Sequence, residues 1–278
     1  MFQHKNQVNQ QSGFTLIELI ITIVVGGIVA AMTTSVLTLP INAYIDNTRR
    51  ATLTNVAESA LNRMQRDIRH ALPNSIRLSA DGKTLELLHV VTGGRYRSSY
   101  AANGSGDVLD FTQNDTSVDV IGRIANFSAI NLGSDLLTIY PLATTGSIAY
   151  AGDNTTTLFN LTTNNHLVFS AFKFPLKSPQ QRFFIIDTPI TYHCDLSASA
   201  AKDKILMRYE GYAIQAIQPV PPPASSGEMQ ANYLSSCSFS YSSGSSTRAD
   251  LVTLEITVAD ETGEAVRLIH QVHVDNQP

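Results

Sequence analysis

Tryptophan is absent from this 278-residue chain, and Asp, Glu, Lys and Arg together make up only 15% of it. Scarce charge beside 43% hydrophobic content excludes a disordered polyelectrolyte and points to a folded chain with room for one large domain or two small ones. No basic cluster longer than Arg49-Arg50 occurs, and the net charge is −4. The electrostatic footprint of nucleic-acid binding is therefore missing, and no nucleic-acid partner is expected. Without Trp, the ten tyrosines and eleven phenylalanines scatter along strand-like stretches, which reads as core and not as a sugar platform. Catalytic frames are missing too. Gly244-Ser245-Ser246 lacks the G-x-S-x-G elbow, and Asp107 and Asp110 do not match EF-hand spacing. No enzyme activity and no catalytic residue is expected.

What is present is concentrated at the N-terminus. Residues 1–13, MFQHKNQVNQQSG, are polar, and Phe14 to Leu39 is almost wholly apolar or small. As a helix this run would be about 39 Å long, enough to cross a ~30 Å hydrocarbon core with tilt. An ordinary secretory signal cut at Val29-Ala30-Ala31 is the bland alternative, and it explains neither Gly13 nor Glu18. Glu18 is a lone carboxylate in the run, and such a group is expensive in hydrocarbon. The apolar stretch offers it no partner. If the chain is cut between Gly13 and Phe14, the new α-amine lies four residues from Glu18 in the same helix, and a staggered neighbour could bring a second one. A paired carboxylate of this kind acts as a register device between like helices.

Gly13-Phe14-Thr15-Leu16-Ile17-Glu18, followed by about 20 apolar residues, resembles the class III signal of type IV pilins and pseudopilins. The resemblance implies cleavage by a prepilin peptidase between Gly13 and Phe14, N-methylation of Phe14, and an assembly role for Glu18. It divides the chain into a leader (1–13), a transmembrane and assembly helix (14–39), an amphipathic continuation (40–73) and a periplasmic head (74–278). The implied location is a bacterial inner membrane, single-pass, with the subunit joining a pilus or its base or tip complex. Partners implied are other minor pilins, the major pilin, the assembly platform and the membrane.

Beyond the span, Gly26-Gly27 weakens the helix and Pro40 predicts a kink or local melt. Leu53, Val56, Ala57, Ala60, Leu61, Met64, Ile68 and Leu72 then form a stripe at 3/4 spacing, with Glu58, Asn62, Arg63, Arg66, Asp67 and Arg69 on the other faces. Pro73 ends it. One long helix over about 14–72 is predicted, its second half laid on a globular head.

The rest reads as β. Residues 75–88 predict a hairpin around Asp81-Gly82, and Gly93-Gly94 a further turn. Later strands are expected at 136–140, 167–174, 182–187, 190–195, 205–212, 251–258 and 265–274. Segments 103–119, 150–166 and 218–228 look like loops, the last an extended Pro-rich connector. The fold class is α+β: a spine helix, membrane-spanning in its first half, packed on an antiparallel sheet.

Cys194 and Cys237 both lie in the part the family exports, where an even count suggests one disulfide. Closing that loop is worth roughly 3–4 kcal/mol on the chain-entropy account. The alternative is a metal site from His193, Cys194, Cys237, His270 and His273. Adjacent His193 and Cys194 face opposite sides of a strand, as do His270 and His273. No cofactor is expected. Calcium in the 103–119 loop, as in some pseudopilins, is the minor alternative. Stretches of the head, including residues 75–97, 190–195, 206–212 and 218–222, resemble minor pilin-like biogenesis proteins of mannose-sensitive haemagglutinin (MSHA) type IV pili. That likeness implies a part in filament initiation and surface adhesion. The other readings are a type II secretion pseudopilin and a membrane-tethered adhesin.

Overall fold

The computed structural model describes residues 13–223, 227–242 and 250–274. Most of the leader, three residues of the Pro-rich connector and Gly244–Ser246 lie outside that range. The chain forms two compact units, Met1–Ala51 and Thr52–Pro278.

A single helix, α1 (Leu16–Arg69), contains Gly26, Gly27 and Pro40. The chain stays helical through Pro40, so of the expected kink or local melt the melt does not occur. Proline removes one donor and crowds one turn, and the intact turns on either side hold the helix together. The helix begins two residues later than expected and ends three earlier, at a turn where His70 N–H reaches back to the carbonyls of Arg66 and Asp67.

In the second unit the expected stripe is the buried one. Leu53, Ala57, Ala60, Leu61, Met64 and Ile68 are all 5% exposed or less. Each fully buried Leu, Met or Ile contributes about 1.5–3 kcal/mol.

The head carries two antiparallel sheets. The larger comprises β1 (Arg77–Leu78), β2 (Thr84–Arg95), β3 (Asp115–Asp119), β4 (Leu136–Ile139), β5 (Thr155–Thr163), β6 (His166–Phe172), β7 (Arg182–Asp195), β8 (Ile205–Tyr209) and β9 (Gly227–Ala231). Its order is β1-β2-β7-β4-β5-β6-β3, with β8 also on β7 and β9 on β8. The smaller is β10 (Leu234–Ser242), β11 (Asp250–Ala259) and β12 (Ala265–Val274) in sequence order. The α+β class stands.

The helix stripe packs in one core with Leu85, Leu87, Ile190 and Tyr192 of the larger sheet and Val252, Leu254 and Ile256 of the smaller. A second core under β3–β6 gathers Tyr96, Leu137, Ile139, Phe169 and Phe183.

Several local expectations change. Gly93-Gly94 makes no turn; β2 runs straight through and pairs with Phe184 and Phe183. A Cβ on Gly93 would lie 2.9 Å from the Phe183 carbonyl oxygen, and one on Gly94 2.9 Å from the Phe183 ring, so both glycines serve close approach. The break expected at 188–189 is absent, because Pro189 sits where β7 changes partners. Phe183–Ile186 pairs with β4, and Thr191–Asp195 pairs with β8. No ladder bond is needed between them. Residues 150–166 form most of the β5–β6 hairpin, and 103–119 ends in β3.

Asp67 also departs from its expected solvent face. Its Oδ2 accepts hydrogen bonds from the Tyr192 hydroxyl (2.7 Å) and from Arg208 Nε (2.8 Å). Burial raises the Tyr192 phenol pKa, and the Asp67 charge adds to that. Burial opposes the Arg208 charge, yet Asp67 and Glu210 hold its pKa above the usual arginine value.

Candidate functional site

The candidate site is the junction between leader and helix. Gly13, Phe14 and Thr15 are non-helical and exposed, Phe14 to 81%. Gly13 has open space around its Cα. Helix α1 starts immediately after, and Leu19 N–H donates to the Thr15 carbonyl at 3.2 Å.

Thr15 and Glu18 make a reciprocal cap. Glu18 N–H donates to Thr15 Oγ1 (3.3 Å), and the Thr15 N–H donates to Glu18 Oε2 (3.1 Å). The Thr15 hydroxyl also donates to Glu18 Oε2, at 2.9 Å. This is a capping box, in which residue and cap satisfy each other's orphan groups. It gives Glu18 a hydrogen-bond partner in Thr15, within the stretch that was expected to offer none. The signal was in plain view as Thr15-Leu16-Ile17-Glu18, an [ST]-x-x-E pattern before an apolar run.

After Glu18 the helix surface is apolar and exposed, with Ile20, Ile21, Val24, Ile28 and Val29 about half exposed and Ile23 more so. Leu16–Thr33 is long and apolar enough to cross a membrane. Its polar side chains stay within the helix. Thr22 and Thr33 hydroxyls donate to the carbonyls of Leu19 and Val29. Such internal bonding is what hydrocarbon demands.

In the head, the structure joins Cys194 to Cys237, with Cα atoms 6.4 Å apart. The bond ties β7 to β10 and so links the two sheets. That bond consumes two of the five side chains a metal site would need. Among the described residues no group of three or more His, Cys, Asp or Glu is placed to hold an ion. His193 instead bonds Thr84 through Nδ1 at 2.8 Å, and burial lowers its pKa. Carboxylates of the 103–119 loop are engaged in holding the loop. Asp119 accepts from Asp107 N–H (3.0 Å), Asp107 from the Ser117 hydroxyl (2.6 Å), and Asp115 from Asp110 N–H (2.8 Å).

Residues 8–34 match a family model described as the prokaryotic N-terminal methylation motif. The match covers the end of the leader, the junction, the capping box and the candidate span. It supports a type IV pilin-like or pseudopilin-like protein, and the motif implies processing by a prepilin peptidase and association with the membrane. No curated protein and no solved structure matches the chain.

Proposed function

We propose that this chain is a minor pilin-like subunit of an MSHA-type type IV pilus, acting in filament initiation and assembly and so in surface adhesion. The observation that carries the reading is the exposed Gly13–Phe14 junction set directly before a capped, apolar span, Leu16–Thr33, that bears a single carboxylate, Glu18. Cleavage after Gly13 would leave Phe14 as the N-methylated first residue, with the capping box intact behind it.

A head of about 200 residues suits a subunit that does not pack against thousands of copies of itself. The finer assignment rests on head stretches similar to the MshO type, among them Ile190–Asp195 and Leu206–Tyr212. In the structure these pair as β7 and β8 beside the disulfide. On this reading the chain sits in the inner membrane with its head in the periplasm. Its partners are other minor pilins, the major pilin and the assembly platform. No catalysis and no cofactor enter the proposal.

The test has two arms. Intact mass and N-terminal sequencing of the protein purified from membranes should show a chain beginning at methylated Phe14. The Glu18→Ala variant should be processed normally but lost from co-purifying pilin complexes. A chain beginning near Met32, or a Glu18→Ala variant that co-purifies as the parent does, would overturn the reading. Co-purification with a type II secretion assembly would keep the processing and move the subunit to that machine.

A further inference from the structure

Among the described residues, the outer edge of strand β12 makes no backbone hydrogen bond, and its register shows which groups lie there. β11 and β12 pair without a shift from Asp250↔Val274 to Ala259↔Ala265. At the turn, Asp260 N–H donates to the Glu264 carbonyl at 3.0 Å in the same register, so Asp260 and Glu264 are a hydrogen-bonded pair. Bonded and non-bonded pairs alternate along an antiparallel ladder. Val266, Leu268, His270, Val272 and Val274 therefore direct their N–H and C=O groups to β11. Ala265, Arg267, Ile269, Gln271 and His273 direct theirs the other way. Ala259 N–H, which donates to the Tyr233 carbonyl on the β10 side, fits the same alternation.

The result is five N–H and five C=O groups in a row, repeating every ~6.8 Å along a ten-residue strand. The five side chains on these residues are exposed, with Ile269 at 50%. The other described sheet edges are blunted in the ways proteins use to prevent strand addition. β1 has two residues. β3 is short, bulged between Asp115 and Ser117, and acidic. β9 is short and irregular, with Glu228 held by Arg63 at 3.2 Å. β10 has part of its outer side taken by Gly82 and Lys204 carbonyls, which accept from Phe239 and Leu234. β12 alone is long and in unbroken register, without proline, glycine or lysine.

We infer that the outer edge of β12 takes up an extended segment of a different, acidic polypeptide, which continues the three-stranded sheet as a fourth strand. Backbone groups would supply the affinity, and the side chains set the partner. β12 carries Arg267, His270 and His273 and no carboxylate. Arg267 draws on Glu255 at 2.8 Å from the neighbouring strand. A second copy of β12 would bring no acid to this edge, whereas an alternating strand with Glu or Asp beside Arg267 and His273 and an apolar residue beside Ile269 would match it. This inference stands independently of how the N-terminal segment is processed.

The test uses the full chain in detergent micelles and a capped peptide of alternating Glu and Val. Hydrogen exchange of the Arg267, Ile269 and Gln271 amides should slow roughly tenfold or more on adding the peptide. A Lys-for-Glu version should protect them far less. Ile269→Pro removes an outward N–H only, so it should abolish protection and keep Tm, whereas Leu268→Pro removes a ladder bond and should lower Tm. Unchanged exchange with the Glu peptide overturns the inference. So does an equal loss of Tm in the two proline variants, because the edge assignment then fails. Equal protection by the Lys peptide, or self-association that Ile269→Pro abolishes, overturns the acidic partner, the latter in favour of a second copy.

Discussion

Asp67→Ala is the sharpest test of how the helix is fastened to the head. Asp67 stands on α1, and Tyr192 and Arg208 come from β7 and β8. The Arg208 side chain is 7% exposed and that of Asp67 19%. Removing the carboxylate leaves the buried guanidinium with Glu210 alone, at 2.5 Å but with its own side chain 45% exposed. It also strips the Tyr192 hydroxyl of its acceptor. Breaking one side of a buried pair costs about 3–5 kcal/mol, and the surviving Glu210 contact moves the expectation to the low end. The lost phenol bond contributes about 1 kcal/mol of this. A net loss of about 3 kcal/mol corresponds to a Tm lower by about 6–12 °C in a domain of this size. Circular-dichroism melts of the full chain in micelles read it directly. Combining Asp67→Ala with Arg208→Met should cost clearly less than the sum of the two single changes, because no uncompensated charge is then left inside. A Tm change under about 2 °C, or strict additivity in the double variant, would refute the reasoning.

Two further outcomes follow from the head. His89 Nδ1 lies 2.9 Å from Asp187 Oδ1, and that hydrogen bond raises the histidine pKa above 6.5. The stabilisation is then fully present below the unfolded value and is lost as pH rises through the raised folded one. His89→Gln should flatten that decline. The parent-minus-variant difference cancels the opposing contribution of His193, and a difference independent of pH between 5.5 and 8, roughly the range histidine titrates, would contradict the assignment. Replacing Cys194 and Cys237 together by Ser should cost roughly 3–4 kcal/mol in denaturant melts, and an unchanged midpoint would contradict the stabilising role given to the bond.

Legibility in the sequence followed the physics of each element. The helix stripe was readable because apolar residues at 3/4 spacing have one common side to bury; from Leu53 to Ile68 that side lies in the core, with Val56 partly buried, while Leu72 falls beyond the helix end and packs with Leu88 and Ile186. Strand β10 is not among the strands the sequence predicts, because its serines dilute the apolar pattern. Yet Cys237, Phe239 and Tyr241 alternate with serine at period two, and Cys237 and Phe239 are the ones buried. Gly93-Gly94 and Pro189 misled for a related reason. Glycine and proline mark turns when taken locally, but here their roles come from Phe183 pressing on β2 and from β7 changing partners, both long-range facts. The partners of Asp67 were equally out of reach, since Tyr192 and Arg208 lie 125 and 141 residues away in sequence.

Glu18 shows the limit of local satisfaction. Its two bonds to Thr15 converge on Oε2 and come from neutral donors, an amide and a hydroxyl. They meet the hydrogen-bonding need of one oxygen and fasten the first turn, but they bring no positive charge. An ionised carboxylate costs on the order of 2.5–3.5 kcal/mol at the bilayer centre on insertion scales and less near the interface, where the first turn of α1 would sit, and neutral donors offset only part of that. The capping box therefore does not remove the reason for an amine partner. It holds the carboxylate in place at the helix start, so that a neighbour's N-terminus would meet an acceptor already oriented. On the proposed reading, Thr15 is a positioning residue for assembly, and Glu18 carries the charge that makes it favourable.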